Sequence, residues 1–76
     1  MELHFNENLS AQILLNEVLK ELKISGKKEE IEKTSNIKRI LRKLNRITSR
    51  RYSEVKQTIL KKNIFLILRN EYGINF

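Results

Sequence analysis

The 76-residue chain contains no cysteine, no proline and no tryptophan, and it has two glycines and one histidine. Without cysteine it forms neither a disulfide scaffold nor a thiolate zinc site, and one histidine cannot build a histidine-based metal cluster. No apolar run approaches the roughly 18 residues that a membrane-spanning helix needs, and the N-terminus lacks the basic start of a secretory signal. We therefore expect a cytoplasmic protein with no cofactor and no membrane partner.

A chain this short is expected to fold as one domain, residues 1–76, whose core is too small to enclose a deep substrate cavity. The two glycines are 47 positions apart, so there is no glycine-rich phosphate loop, and no H-E-x-x-H motif or nucleophile elbow is present. The sequence therefore predicts that the protein is not an enzyme. Isoleucine, lysine and asparagine supply 28 residues against one alanine, a bias of A+T-rich coding that suggests a low-GC bacterium or its phage or plasmid.

Positive charge is concentrated in the middle of the chain, which carries a net charge of +7. Residues 1–32 hold four basic and seven acidic side chains, whereas residues 33–62 hold eleven basic side chains against Glu54 alone. Residues 63–76 are neutral overall, with one base and one acid. Such a concentration of like charge repels itself in a compact domain, and a bound polyanion relieves the repulsion. The distribution favours a strongly acidic partner.

Apolar residues recur at helical spacing over residues 10–24, which predicts the first helix. Ser10 is the expected N-cap, and Gly26 is the expected stop because glycine readily takes the left-handed conformation in which many helices end. Residues 1–9 are expected to form an N-terminal arm that packs on the domain or makes a short strand. Residues 25–34 are highly charged and predict a linker or one exposed helical turn.

Residues 35–62 predict two basic amphipathic helices, over 35–47 and 50–62, with a short turn at Thr48 and Ser49. On a helical wheel the first of them has a narrow apolar arc, and almost every other position is cationic. The inner side of the second helix is expected to be formed by Tyr52, Val55 and Ile59. Its outer side is polar and chemically mixed, which suits the reading of base edges as well as contact with phosphates.

The segment from Ile37 to Leu60 resembles a helix-turn-helix. The apolar residues that carry the resemblance are Ile40, Leu41 and Leu44 in the first helix, Ile47 in the turn, and Tyr52, Val55 and Ile59 in the second helix. The segment departs from the usual pattern in having Leu41 at the close helix crossing and Asn45 in place of the turn glycine. In a helix-turn-helix the second helix enters the major groove, while the first crosses the DNA backbone.

The resemblance implies two sets of DNA-binding side chains. The set that would face bases is Arg50, Glu54, Gln57, Thr58 and Lys61. The set that would neutralise phosphates is Arg39, Arg42, Lys43, Arg46 and Arg51, with the neighbouring Lys38. The leading hypothesis is therefore a small double-stranded DNA-binding protein, a regulator of transcription or replication.

A second hypothesis is a small helical protein-interaction module or inhibitor whose cations meet the acidic surface of a host protein complex. RNA binding is less favoured, because recognition of single strands generally uses exposed aromatic side chains. In this sequence Tyr52, Phe65 and Tyr72 all fall in apolar stripes.

Residues 63–76 form an apolar C-terminal segment that is compatible with two structures. Either the helix continues to Tyr72 and Gly73 ends it, or residues 64–69 and 74–76 form a hairpin. A continuous helix would be apolar on two faces, which favours a bend near Asn63 or a homodimer. The fold class predicted for the whole chain is a small all-α domain of three to four helices.

Overall fold

The computed structural model describes residues 6–75, which contain four helices and no strand. The helices are α1 (Glu7–Glu21), α2 (Lys28–Ile31), α3 (Thr34–Arg51) and α4 (Glu54–Tyr72). This confirms the all-α prediction. The hairpin alternative is wrong, because α4 continues to Tyr72 and ends at Gly73 in the left-handed conformation, with φ of 65°. Residues 1–5 of the predicted N-terminal arm lie outside the described residues.

The core lies between α1 and the two long helices, and α1 packs most extensively against α4. Every helix contributes buried apolar side chains to it. They are Ala11, Leu14, Leu15, Val18 and Leu19 of α1, Ile31 of α2, Ile40, Leu44 and Ile47 of α3, and Leu60, Ile64 and Leu68 of α4, together with Ile24 and Ile74. With one side of α3 and α4 used in this way, the opposite sides of both helices face solvent.

Helix α1 begins and ends three residues earlier than the sequence predicts. Its N-cap is Asn6 rather than Ser10, because the Asn6 Oδ1 accepts a hydrogen bond from the Leu9 amide at 2.9 Å. At its end Lys23, not Gly26, takes the left-handed conformation, with φ of 58°. The Ile24 amide then donates to the carbonyl of α1 residue 19 at 2.9 Å. This capping geometry turns the buried Ile24 into the core, which favours the earlier stop.

The predicted turn at Thr48 and Ser49 is wrong, because α3 continues through both residues. The Thr48 side chain is fully buried, and its Oγ1 donates to the Leu44 carbonyl at 2.9 Å. The Ser49 Oγ donates to the Arg46 carbonyl at 3.0 Å. Both hydroxyls bond backward to their own helix instead of capping a new one, a use of serine and threonine that competes with capping.

The turn between α3 and α4 lies instead at Tyr52 and Ser53. Tyr52 has an extended backbone that ends α3, and the Ser53 Oγ accepts from the Lys56 amide at 3.5 Å as the N-cap of α4. Arg50 and Arg51 consequently belong to α3, not to the second helix of the pair. The predicted boundaries of the two helices are therefore wrong at this junction, whereas the predicted continuation of the second helix to Tyr72, with Gly73 as its stop, is confirmed.

The predicted inner side of the second helix is wrong at Val55 and Ile59, although Tyr52 packs against the core. Val55 is 70% exposed and Ile59 is half-buried, whereas Leu60, Ile64 and Leu68 are buried. These three residues follow one another at a spacing of four and form the longer apolar stripe on α4, so α1 packs against them. Because these residues are buried within one chain, less apolar surface is left exposed than the sequence suggested when it favoured a homodimer. Dimerisation stays a prediction.

Candidate nucleic-acid interface

Four cationic side chains follow one another along the outer side of α3. They are Lys38, Arg42, Arg46 and Arg50, and we call them the α3 basic row. Each is four residues from the next, and all four are exposed. Because a helix rises about 1.5 Å per residue, successive members are about 6 Å apart along the axis, and the row spans about 18 Å.

The α3 basic row has no partner within the described part of the protein. None of its four side chains forms a hydrogen bond or an ion pair with any of residues 6–75. Like charges at a spacing of four repel each other by about 0.2–0.5 kcal/mol per pair in an isolated helix. The row contains three such pairs, so a bound anion would relieve repulsion that the fold itself leaves in place.

The other three cations predicted to contact phosphates hold α3 against α1. Arg39 donates from Nη2 to the Leu22 carbonyl at 3.1 Å and from Nη1 to the Asn36 Oδ1 at 3.3 Å. The carbonyls at a helix C-terminus carry partial negative charge and lack helical partners. Arg39 therefore provides a hydrogen-bond donor for a carbonyl at the C-terminal end of α1.

Arg51 and Lys43 form ion pairs with acids of α1. Both terminal nitrogens of Arg51 donate to Glu17, each at 2.9 Å, and the Lys43 Nζ lies 3.6 Å from the Glu21 Oε2. The hydrogen bond from Arg51 lowers the pKa of Glu17, and the same bond raises the pKa of Arg51. The two-nitrogen geometry is the strongest form of such a pair. These two cations are less available to an external anion than the α3 basic row.

The residues predicted to face bases do not form one outer face. Arg50 lies on α3, and the other four lie on α4. The Gln57 Nε2 donates to the Tyr52 carbonyl at 2.8 Å, and the Thr58 Oγ1 donates to the Glu54 carbonyl at 3.0 Å. Both side chains therefore stabilise the connection between α3 and α4 and the start of α4. Lys61 is half-buried. Arg50 and Glu54 remain exposed without such bonds among the described residues.

No protein-family model, curated protein or solved structure matches the chain. Residues 6–75 also contain no helix with the length and apolar character needed to cross a membrane.

Sequence reasoning missed the acids that pair with α3. Glu17 and Glu21 are four residues apart, so they lie on one side of α1. Their pairing with the basic segment had one sequence signal, the net negative charge of residues 1–32. That signal identifies an acidic segment but not which cations it meets. The structure thus separates the predicted phosphate contacts into a paired set on the α1 side and the unpaired α3 basic row.

Proposed function

We propose that this protein binds double-stranded DNA by placing the α3 basic row against backbone phosphates. The observation that carries the proposal is that four exposed cations stand in line without an acidic partner among the described residues. Duplex DNA carries one negative charge per about 1.7 Å of its axis, so a row about 18 Å long meets several phosphates. Their negative charge offsets the repulsion within the row.

Duplex DNA fits this surface better than a single strand. Single-stranded nucleic acid is generally held by aromatic side chains on which bases stack. Helix α3 contains no aromatic residue, and Tyr52, which follows it, is half-buried against the core. A helix with cations along one side instead suits a regular backbone, and its diameter of about 10–12 Å matches the width of a major groove.

Recognition of particular bases is a narrower part of the proposal. At a specific site Arg50 would donate two hydrogen bonds to guanine in place of its phosphate contact, and Glu54 would accept from cytosine. Gln57 and Thr58 are engaged with backbone carbonyls, so we expect them to discriminate little between sequences. Binding that depends mainly on phosphates would be largely independent of sequence, and a regulatory role in transcription or replication would require the contribution of Arg50 and Glu54.

The test is the salt dependence of affinity for a labelled duplex, measured by fluorescence anisotropy. Four phosphate contacts predict a slope of about −3.6 for the logarithm of affinity against the logarithm of salt. The double variant Arg42→Ala, Arg46→Ala should flatten the slope by about 1.8 and weaken binding to all sequences alike. The matched control is Lys20→Ala, Lys27→Ala, which removes the same charge from exposed positions outside α3 and should leave the slope near the wild-type value.

Equal effects of the two double variants would mean that net charge alone drives binding, which would contradict a defined interface. Absence of duplex binding even at low salt would reject DNA as the partner.

An acidic protein surface is the second candidate partner, and one feature of α4 favours it. Leu66 is 42% exposed and helps to line an open groove of about 450 Å³ together with Lys61, Lys62 and Arg69. An apolar floor with a cationic rim suits an acidic amphipathic segment. In that case Leu66→Glu would abolish binding of the partner protein, whereas Arg42→Ala, Arg46→Ala would not.

A further inference from the structure

A second basic feature lies beside the α3 basic row. A shallow cleft of about 250 Å³ opens between the end of α1 and two turns of α3, lined by Leu22, Arg39, Arg42, Lys43 and Arg46. Arg42 and Arg46 also belong to the α3 basic row. Arg39 and Lys43 line the cleft from the side of the row nearer α1, where Leu22 forms its apolar wall.

The Arg39 guanidinium is held in place before any ligand binds. Its two hydrogen bonds, to the Leu22 carbonyl and to the Asn36 Oδ1, fix its position at the edge of the cleft. Asn36 is itself buried, and its Nδ2 donates to the Glu30 carbonyl at 2.7 Å. A donor that is already ordered loses less conformational freedom when it binds an anion.

The charge in the cleft exceeds what one phosphate group neutralises. Four cations line it, and the only acid paired with them among the described residues is Glu21, which lies 3.6 Å from Lys43. A surplus of three positive charges remains. One phosphate group carries about −1.5 to −2 at neutral pH, and the cleft has the volume of about eight liquid waters. The charge therefore favours two or more phosphate groups in close succession, and the volume accommodates them.

We infer that this cleft is a binding site for a compact polyphosphate, that is, for two or three phosphate groups linked through bridging oxygens. Arg42 and Arg46 can each contact phosphate with two parallel hydrogen bonds, while Arg39 and Lys43 supply the inner charges. The site does not depend on DNA binding, although the shared Arg42 and Arg46 mean that the two anions exclude each other.

The experiment titrates the full chain with inorganic pyrophosphate and tripolyphosphate by isothermal calorimetry at constant ionic strength. Orthophosphate and sulfate are the control anions. We expect pyrophosphate to bind at least about tenfold more tightly than either, because two linked phosphate groups bring more negative charge against the surplus of three positive charges in the cleft. Equal affinity for pyrophosphate and sulfate would overturn the proposal. A nucleoside diphosphate that binds more tightly than pyrophosphate would assign a nucleotide as the source, and weaker binding would assign an inorganic polyphosphate.

Two matched double variants separate this site from the DNA interface. Arg39→Gln, Lys43→Gln lie in the cleft but outside the α3 basic row, and should weaken pyrophosphate binding about tenfold or more while retaining duplex binding. Lys38→Gln, Arg50→Gln lie in the row but outside the cleft, and should weaken duplex binding while leaving pyrophosphate binding unchanged. If both variants lose pyrophosphate binding equally, the cleft is not the polyphosphate site. If neither variant loses duplex binding, the DNA proposal is wrong while the cleft proposal is unaffected.

The cleft variants remove contacts between α1 and α3, so a competition experiment on the unmodified protein provides a second measurement. At equal ionic strength, pyrophosphate should displace labelled duplex at a concentration at least about tenfold lower than sulfate does. If the protein binds duplex but its displacement depends only on ionic strength and not on which anion is added, the cleft proposal is wrong.

Discussion

Asn36 is the buried polar side chain that connects three helices. It is 8% exposed, and it lies on α3 while its Nδ2 donates to the Glu30 carbonyl of α2. Its Oδ1 accepts from Arg39, which in turn donates to the Leu22 carbonyl at the end of α1. One short amide therefore orders the cation that lies at the edge of the cleft and secures α2 to α3.

We predict that Asn36→Ala lowers the free energy of unfolding by about 1–2 kcal/mol, because it leaves the Glu30 carbonyl and Arg39 without their partner. Asn45→Ala is the matched control, since Asn45 is exposed on the same helix. Alanine has the higher helix propensity, so the control should be neutral or stabilising by up to about 0.7 kcal/mol. Urea denaturation of the two variants measures the difference, and equal effects would contradict a structural role for Asn36.

The ion pair between Glu17 and Arg51 predicts how stability changes with pH. The Arg51 hydrogen bond holds the pKa of Glu17 below its ordinary value of 4.5, so the folded chain binds this proton more weakly than the unfolded chain. The stabilisation is therefore complete above the ordinary value and is lost as the pH falls through the lower, folded value. The melting temperature of Glu17→Gln should therefore fall less than that of the wild type between neutral pH and about pH 3.

Glu32→Gln is the control for that comparison, since Glu32 forms no ion pair with the part of the chain that the structure describes. It should keep the wild-type pH dependence. If Glu17→Gln and Glu32→Gln titrate alike, the pair with Arg51 does not contribute to stability.

At the scale of helices, the end of α1 shows a residue in an unfavourable conformation. Lys23 has φ of 58°. This left-handed conformation costs a residue with a Cβ about 1–2 kcal/mol, whereas glycine adopts it without that steric cost. Lys23→Gly should therefore raise the free energy of unfolding by about 0.5–1 kcal/mol, measured by urea denaturation. Gly26→Ala should not destabilise, because a Cβ at Gly26 meets no atom within 4 Å. The reverse result would restore Gly26 as the left-handed residue.

The helices that the sequence predicts well are those with one unambiguous apolar stripe. In α1 the residues Leu14, Leu15 and Val18 mark the inner side, and in α3 Ile40 and Leu44 do the same; all five are buried. Periodicity alone defines these faces, since no alternative stripe competes with them. The position of most cations on α3 follows from the same wheel, which is why the cationic side of this helix could be predicted from the sequence alone.

The junction of α3 and α4 could not be predicted because its signals are ambiguous in the sequence. A threonine or serine hydroxyl can cap a new helix or bond back to its own, and burial of Thr48 favours the second use. In α4 two apolar stripes overlap, and only packing against α1 selects the stripe of Ile64 over that of Val55. The pairing of Glu17 with Arg51 joins residues 34 positions apart, and local patterns carry no information about such contacts.

At the scale of the whole molecule, the cations have two different roles. Arg39, Lys43 and Arg51 join α3 to α1 through a carbonyl and two acids. Lys38, Arg42, Arg46 and Arg50 face solvent without partners among residues 6–75. The net charge of +7 is thus larger than the unpaired charge that any one surface presents to a ligand. We therefore expect duplex DNA to bind where the cations are unpaired, on the outer side of α3.

The most direct test is a nuclear magnetic resonance titration of isotope-labelled protein with a short DNA duplex. The side-chain and backbone signals of Arg42, Arg46 and Arg50 should shift most, and those of Arg51, which Glu17 holds, should shift little. A second titration at higher salt should reduce all these shifts together, because phosphate contacts are released by salt. Largest shifts on Gln57, Thr58 and Lys61 of α4, with the α3 basic row unaffected, would contradict binding through α3.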